Sequence, residues 1–240
     1  MNFIIQSFYT FLYQPLLNGL VLLYFLTHDL GLAVFILTLL VRLVLFPLSF
    51  KGLKSQQAMK TIEPKIRELK QKHKDNIPEQ NRAVMELYKQ EKVSPVSGCL
   101  PLLIQFPIII ALYRVFYNGL NIESFNKFLY SFVPNPGEIP LKIFWLFDAN
   151  SKIFIIVLAL LAAVLQFWQS KMTMPKGQKK PTGTDFASAM QKQMLYIFPV
   201  ITFFIIYKTG VVVGAYWFFS VLFSLLEQAI IARTKGQTSP

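Results

Sequence analysis

Charge is scarce in these 240 residues: 15% are charged and 54% hydrophobic, against about 25% and about 45–50% in ordinary globular domains. Such an excess of apolar surface needs lipid as its solvent, not a larger core. There is a single cysteine, Cys99, so no intrachain disulfide forms, and it reads as a small packed residue. The two histidines, His28 and His73, are too distant to make a metal-ligand cluster. There is neither a glycine-rich phosphate loop nor a metalloprotease helix motif. No enzymatic activity, cofactor or metal is therefore expected. The opening residues contain no Lys or Arg, which removes the charged start of a signal peptide. No early cysteine offers a lipid anchor, and no internal repeat is visible.

What the sequence does have is long apolar runs, several approaching the roughly 20 residues that a helix needs to cross a bilayer. Open sheets are excluded there, because unpaired backbone groups find no partner in lipid. Five runs at about residues 30–50, 96–117, 153–170, 189–207 and 211–231 predict an all-α membrane protein with spans within 29–50, 94–118, 151–170, 189–208 and 209–232. Before them, residues 1–28 carry Gln6, Thr10, Gln14 and Asn18 at four-residue spacing on one helical face. That spacing, with Pro15 and Gly19, favours an amphipathic helix lying in the interface; the alternative is one more span.

The net charge of +12 would by itself fit nucleic acid, but its distribution fits membrane topology better, and no sequence-specific nucleic acid partner is expected. Residues 51–92 hold eleven Lys or Arg against six acidic residues. The loop 171–188, with Lys192 beyond it, adds five lysines against Asp185, and Arg233 and Lys235 fall in the tail 233–240. The outer segment 119–150 is balanced by comparison. By the positive-inside rule the basic segments are cytoplasmic, which predicts a bacterial plasma-membrane protein with an extracytoplasmic N-terminus and a cytoplasmic C-terminus. Within 51–93 two stretches of good helix formers flank Asp75-Asn76-Ile77-Pro78, predicting a cytoplasmic helical hairpin. Ile62, Ile66, Leu69, Val84, Leu87 and Tyr88 would pack its arms together, and Pro64 should kink or restart the first arm.

Arg42 lies about 20 Å of helix beyond Asp29, too deep for a terminus. An arginine there costs about 2.5–3.5 kcal/mol even on the lenient insertion scale, so it must face water or a partner. Thr38 and Ser49 share its face. Further polar stripes are Gly98, Pro101 and Gln105; Gln166 and Gln169; and Trp217, Ser220, Ser224 and Gln228. These either line a wet cavity with Arg42 or simply hydrogen-bond neighbouring helices. Glu227, the acidic residue inside a later span, is a possible charge partner for Arg42. Arg114, Lys152 and Lys208 read as interfacial groups. Tyr216 and Trp217 fit either an aromatic belt or a substrate contact.

The run Thr38-Leu39-Leu40-Val41-Arg42-Leu43-Val44-Leu45-Phe46-Pro47-Leu48, the later Leu87-Tyr88-Lys89 and Ser94-Pro95, and Gly98-Cys99-Leu100-Pro101-Leu102-Leu103-Ile104-Gln105-Phe106-Pro107 with Ala111-Leu112-Tyr113 resemble the YidC family of membrane protein insertases. The resemblance covers nearly the whole chain. It implies five helices around a hydrophilic groove open to the cytoplasm and sideways to lipid, with Arg42, Thr38, Gln105, Tyr216 and Trp217 at groove or substrate-contact positions and Gln166 matched more loosely. It further implies nascent membrane proteins as cargo, the Sec translocon, ribosome and signal recognition particle as partners, and a functional monomer in contact with membrane lipids. The chain reads as a short form without a large extracytoplasmic domain and with a short tail. Two features depart from the family pattern: Lys208-Thr209-Gly210-Val211 replaces a proline-containing approach to the last span, and Glu227 stands where glutamine is usual. A small-solute transporter or channel is the alternative, although transporters favour inverted repeats and broken helices. The two readings of Arg42 differ on Glu227→Gln: a structural pair predicts harm to folding, a free groove charge predicts an intact fold.

Overall fold

The computed structural model describes residues 2–94, 100–119, 127–137, 142–173 and 186–236, and helix dominates them. The chain begins with α1 (Asn2–Phe8), a π-helical turn (Tyr9–Tyr13) and α2 (Gln14–Thr27). The π turn has a local cause. Pro15 has no N–H to continue the α ladder, and the Gln14 N–H reaches back to the Tyr9 carbonyl, one residue farther than an α-helix allows. His28, in the left-handed region at φ 52°, stops α2, and extended Asp29 caps the next helix.

That helix, α3 (Leu30–Lys72), has 43 residues and is about 64 Å long. It carries both the first predicted span and the first arm of the predicted hairpin. Pro47 and Pro64 both lie inside it, and contrary to the sequence expectation Pro64 does not restart the helix. A proline removes one ladder bond, while Ile62 and Ile66 on either side are buried against Val84 and Leu87 of α4 (Ile77–Gln90) and hold the two halves in register. The arms close as expected, with Met59, Leu69 and Tyr88 at the edges. Asn76 caps α4, accepting from Glu79 N at 3.2 Å while its own amide donates to the Glu79 carboxylate at 3.1 Å. Lys65 and Glu91 add an ion pair at 2.6 Å on the exposed side.

The remaining helices are α5 (Leu100–Gly119), α6 (Lys152–Thr173), α7 (Phe186–Thr209) and α8 (Val211–Gly236). By length and hydropathy, four described stretches suffice to cross a membrane: Ile5–Thr27, Leu30–Lys72, Lys152–Met172 and Val211–Ile231; Gln105–Val115 and Leu195–Thr209 are shorter apolar stretches. α3 and α8 run parallel, since Phe35 meets Phe219 and Phe223 and, further along both, Arg42 meets Glu227. α6, α7 and α8 converge at Gly214, where a Cβ would stand 2.7 Å from Ile206 Cγ2 and 3.0 Å from Leu158 Cδ2. Small residues permit this approach in membranes, where packing replaces the hydrophobic effect. The outward faces are apolar and uncovered: Ile153, Val157, Leu160, Leu161 and Val164 on α6, and Ile197, Val200, Ile201 and Phe204 on α7.

The N-terminal helices rest on residues 128–130. Tyr9 stacks on Phe128 at 5.5 Å. Asn18 donates to the Phe128 carbonyl at 3.0 Å and accepts from Tyr130 N at 2.7 Å. Beyond this lies a small antiparallel hairpin that sequence patterning did not predict, β1 (Lys142–Ile143) with β2 (Phe147–Asp148). Its turn places Phe144 and Trp145 at φ 53° and 58°, a region where aromatic residues are strained. Buried Asp29 pins it: Oδ2 accepts from Trp145 N at 2.8 Å while Oδ1 caps α3 through Leu32 N at 2.7 Å. Gly31 lets Ile143 sit directly on α3, because a Cβ there would fall 2.5 Å from Ile143 Cγ2.

Asp29→Ala removes both anchors at once. Loss of a cap alone costs about 1 kcal/mol, and two buried N–H groups left unpaired add to it. The expected result is a lowered thermal midpoint in detergent together with a shifted Trp145 emission; Asp29→Asn, which can keep one acceptor, should lie between the variant and the parent.

Candidate functional site

Arg42 lies 12 residues into α3, about 18 Å from its N-terminal end. Phe35 turns one face of α3 toward α8, and Arg42, seven residues later, shares that face. There its Nη1 stands 4.0 Å from Oε2 of Glu227, with 16% and 10% of the two side chains exposed. The two charges thus approach each other, but loosely. A strong arginine–carboxylate pair is a short two-pronged fork; this one sits at the outer limit of contact, and Glu227 Oε2 accepts no hydrogen bond. At 4 Å and an effective dielectric near 20 the attraction is about 4 kcal/mol, enough to keep the two charges together. It does not saturate the five N–H donors of a guanidinium.

The other predicted residues fall into two groups on different sides of α8. Tyr216, Ser220 and Glu227 are spaced to share one face, and Tyr216, almost wholly buried, accepts from Gln105 Nε2 of α5 at 2.9 Å. Trp217, the next residue, points about 100° away. Its Nε1 donates to Gln166 Oε1 of α6 at 2.7 Å, and Thr202 Oγ1 of α7 donates to the same oxygen at 2.9 Å. One helical turn on, Gln169 Nε2 donates to Ser224 Oγ at 2.5 Å. These glutamines therefore tie helices together, which is the plainer of the two readings their stripes allowed.

Thr38 is fully buried and its hydroxyl donates to the Val34 carbonyl at 2.6 Å, so its donor is satisfied within its own helix. Ser49 is partly exposed. Gly98 and Cys99 lie outside the described residues, and Pro101 falls in the first turn of α5. Arg114 holds the N-terminal helix: its guanidinium lies 5.4 Å over the Tyr9 ring and hydrogen-bonds the Tyr9 hydroxyl. Sequence reasoning missed Thr202 and Tyr9. A lone hydroxyl in an apolar run, and an aromatic at the apolar start of a helix, carry no signal until the fold shows what faces them. Among the described residues no group of three or more His, Cys, Asp or Glu forms a possible metal site.

Long apolar helices with an interior charge pair and buried amide ties define a multi-pass α-helical membrane protein. Residues 22–238 match the family model described as the 60Kd inner membrane protein, and the chain belongs to that family, the YidC family. It is 34% identical over 230 residues to the membrane protein insertase YidC of Wolinella succinogenes, and 33% identical over 230 residues to that of Geotalea daltonii. Each alignment takes in 95% of this chain but 38% of the relative, so the chain spans well under half the length of these relatives. Its fold is similar to the crystal structure of an active YidC insertase with the first transmembrane domain resolved, at a TM-score of 0.53 and 26% identity, covering 91% of this chain and 46% of that one. An inner-membrane, multi-pass location follows from these matches and the apolar helices.

The Gln166 node makes a measurable prediction. In a double-mutant cycle between Gln166→Leu and Trp217→Phe, the two losses should not add; the coupling is expected near 1 kcal/mol, between the average of about 0.6 and the maximum of about 1.7 for interhelical bonds in membranes. Purely additive losses would mean that the bond contributes no stability.

Proposed function

We propose that the protein is a membrane protein insertase: nascent membrane proteins enter a hydrophilic groove from the cytoplasmic side and leave sideways into lipid. The observation carrying this reading is Arg42, a permanent charge deep in a span that keeps a sixth of its side chain exposed and whose ion pair among the described residues is a 4.0 Å contact to Glu227. The insertase names of the relatives point the same way. In this role Arg42 attracts an acidic or polar outer segment of the cargo and lowers the cost of drawing it into a low-dielectric site. The apolar segment of the cargo partitions into the bilayer on its own hydrophobicity. No bond is made or broken in the cargo, so the protein is not an enzyme and needs no cofactor.

Glu227 sets the strength of that attraction. A cargo carboxylate must compete with it for the guanidinium, so Glu227 tempers capture without abolishing it. Gln105 and Tyr216 form the adjoining polar wall, while Gln166 and Trp217 brace α6, α7 and α8 behind it. Thr38 contributes tight packing beside Arg42.

The groove belongs to five spans, α3, α5, α6, α7 and α8, with the N-terminus outside and the C-terminus cytoplasmic. The N-terminal helix lies at the outer interface in this arrangement. Phe128 meets both Tyr9 and Asn18, whereas a second crossing would carry Tyr9 about 27 Å from the level of Thr27. The basic hairpin of α3 and α4 meets cargo, ribosome or signal recognition particle, or anionic headgroups. The protein acts as a monomer, alone or beside the Sec translocon.

The test is reconstitution in liposomes with a single-spanning cargo bearing an acidic outer tail. Insertion is expected; Arg42→Ala should reduce it, Arg42→Lys should preserve it, and Glu227→Gln should raise it with the fold intact. Because Arg42→Ala leaves a buried carboxylate unpaired, it is also measured on the Glu227→Gln background. Equal insertion by all variants would refute the charge mechanism, and saturable solute flux without insertion would favour a transporter.

A further inference from the structure

A cleft of about 330 Å³ opens at the outer end of the bundle, where the start of α6 meets the turn from α7 into α8. Its walls include Asn150, Lys152, Tyr207 and Lys208, with Ile155 and Gly210 behind them. Gly210 is left-handed at φ +92°; this sharp turn brings the end of α7 beside the start of α6. Both lysines are exposed, and among the described residues neither forms an ion pair. The nearest carboxylate along the chain, Asp148, caps Asn150 N through Oδ1 at 2.8 Å and has Lys142 as its cross-strand neighbour. The cleft therefore holds two ammonium groups, an amide and a phenol, a set suited to a phosphate.

What lies below the cleft identifies the kind of phosphate. On α7 the exposed residues Ile197, Val200, Ile201 and Phe204 recur at helical spacing and run directly into Tyr207, itself 45% exposed, and Lys208. On α6 Ile153, Val157, Leu160 and Leu161 form a matching uncovered stripe that begins beside Lys152. Two apolar tracks descending from one cationic cleft match an amphiphile, headgroup above and acyl chains below. A zwitterionic headgroup would bring its own cation toward the lysines, whereas an anionic headgroup complements both.

We propose that this cleft binds one anionic phospholipid, its phosphate held between Lys152 and Lys208 and its acyl chains lying along α6 and α7. The lipid clamps α7 to α6 next to the left-handed turn that starts α8, the helix that carries Tyr216 and Glu227. The site does not depend on which cargo the protein handles. Lys208 also occupies the stretch where this chain departs from the proline-containing family pattern.

The test uses the full chain in detergent, titrated with phosphatidylglycerol, phosphatidylcholine or inorganic phosphate, and reads retained lipid by native mass spectrometry and the thermal midpoint. One phosphatidylglycerol should be retained saturably, with a raised midpoint. Lys152→Gln and Lys208→Gln should each weaken retention about five-fold, the scale expected for one basic residue at an anionic surface, and the double variant should lose it. Lys171→Gln, at the opposite end of α6, serves as a control and should change nothing. Equal retention of phosphatidylcholine, unchanged retention in the double variant, or full protection by inorganic phosphate alone would each overturn the proposal.

Discussion

A guanidinium in hydrocarbon is the constraint around which this structure is arranged. Arg42 cannot shed its proton, and its cost near the centre of a span, about 2.5–3.5 kcal/mol on the insertion scale, is comparable with the attraction one carboxylate returns at 4 Å. The balance admits Arg42 without silencing it. Glu227 comes within 4.0 Å and no closer, and about one sixth of the arginine side chain stays exposed. In the mechanism we propose, a tighter fork would hold the helices better and attract cargo less.

Helix α8 does two jobs by the geometry of consecutive residues. Tyr216 and Glu227 look toward α5 and α3, where the charge is, while Trp217 and Ser224 look toward α6, with Thr202 of α7 sharing the Gln166 acceptor. The side bearing Arg42 leaves Glu227 Oε2 without a hydrogen bond, whereas the side away from it joins its polar groups in hydrogen bonds between helices. In lipid such bonds are individually modest, so three helices meeting closely at Gly214 matter as much as the glutamines that link them. The end of the bundle where α3 begins is fixed independently, by Asp29 joining the start of α3 to a strained hairpin and by Arg114 holding the N-terminal helix.

Much of this was legible in the sequence because membranes impose simple rules. The apolar runs located the helices, the charge of Arg42 singled itself out by its cost, and Glu227 followed as the acidic residue at a matching depth. The hairpin core of Ile62, Ile66, Val84 and Leu87 came from helical spacing alone. Depth and period do not say which neighbour a face meets, so Tyr216 and Trp217 read as one pair although they meet different helices. Thr38 read as part of a polar stripe although its hydroxyl bonds its own helix. Pro64 suggested a break that packing on both sides suppresses. The hairpin of residues 142–148 was illegible for another reason: two-residue strands have no period, and aromatics in left-handed conformation contradict local preference and persist because Asp29 holds them.

The claim that most needs direct measurement is that Arg42 faces water inside the first span. Single cysteines placed at successive positions from 38 to 51, in a Cys99→Ser background, can be probed in membranes with a water-soluble maleimide applied from the cytoplasmic side. The account predicts labelling at positions 42 and 49 and protection at 43 and 44, which face lipid. Uniform protection from 38 to 46 would contradict it, leaving Arg42 as half of a dry structural pair.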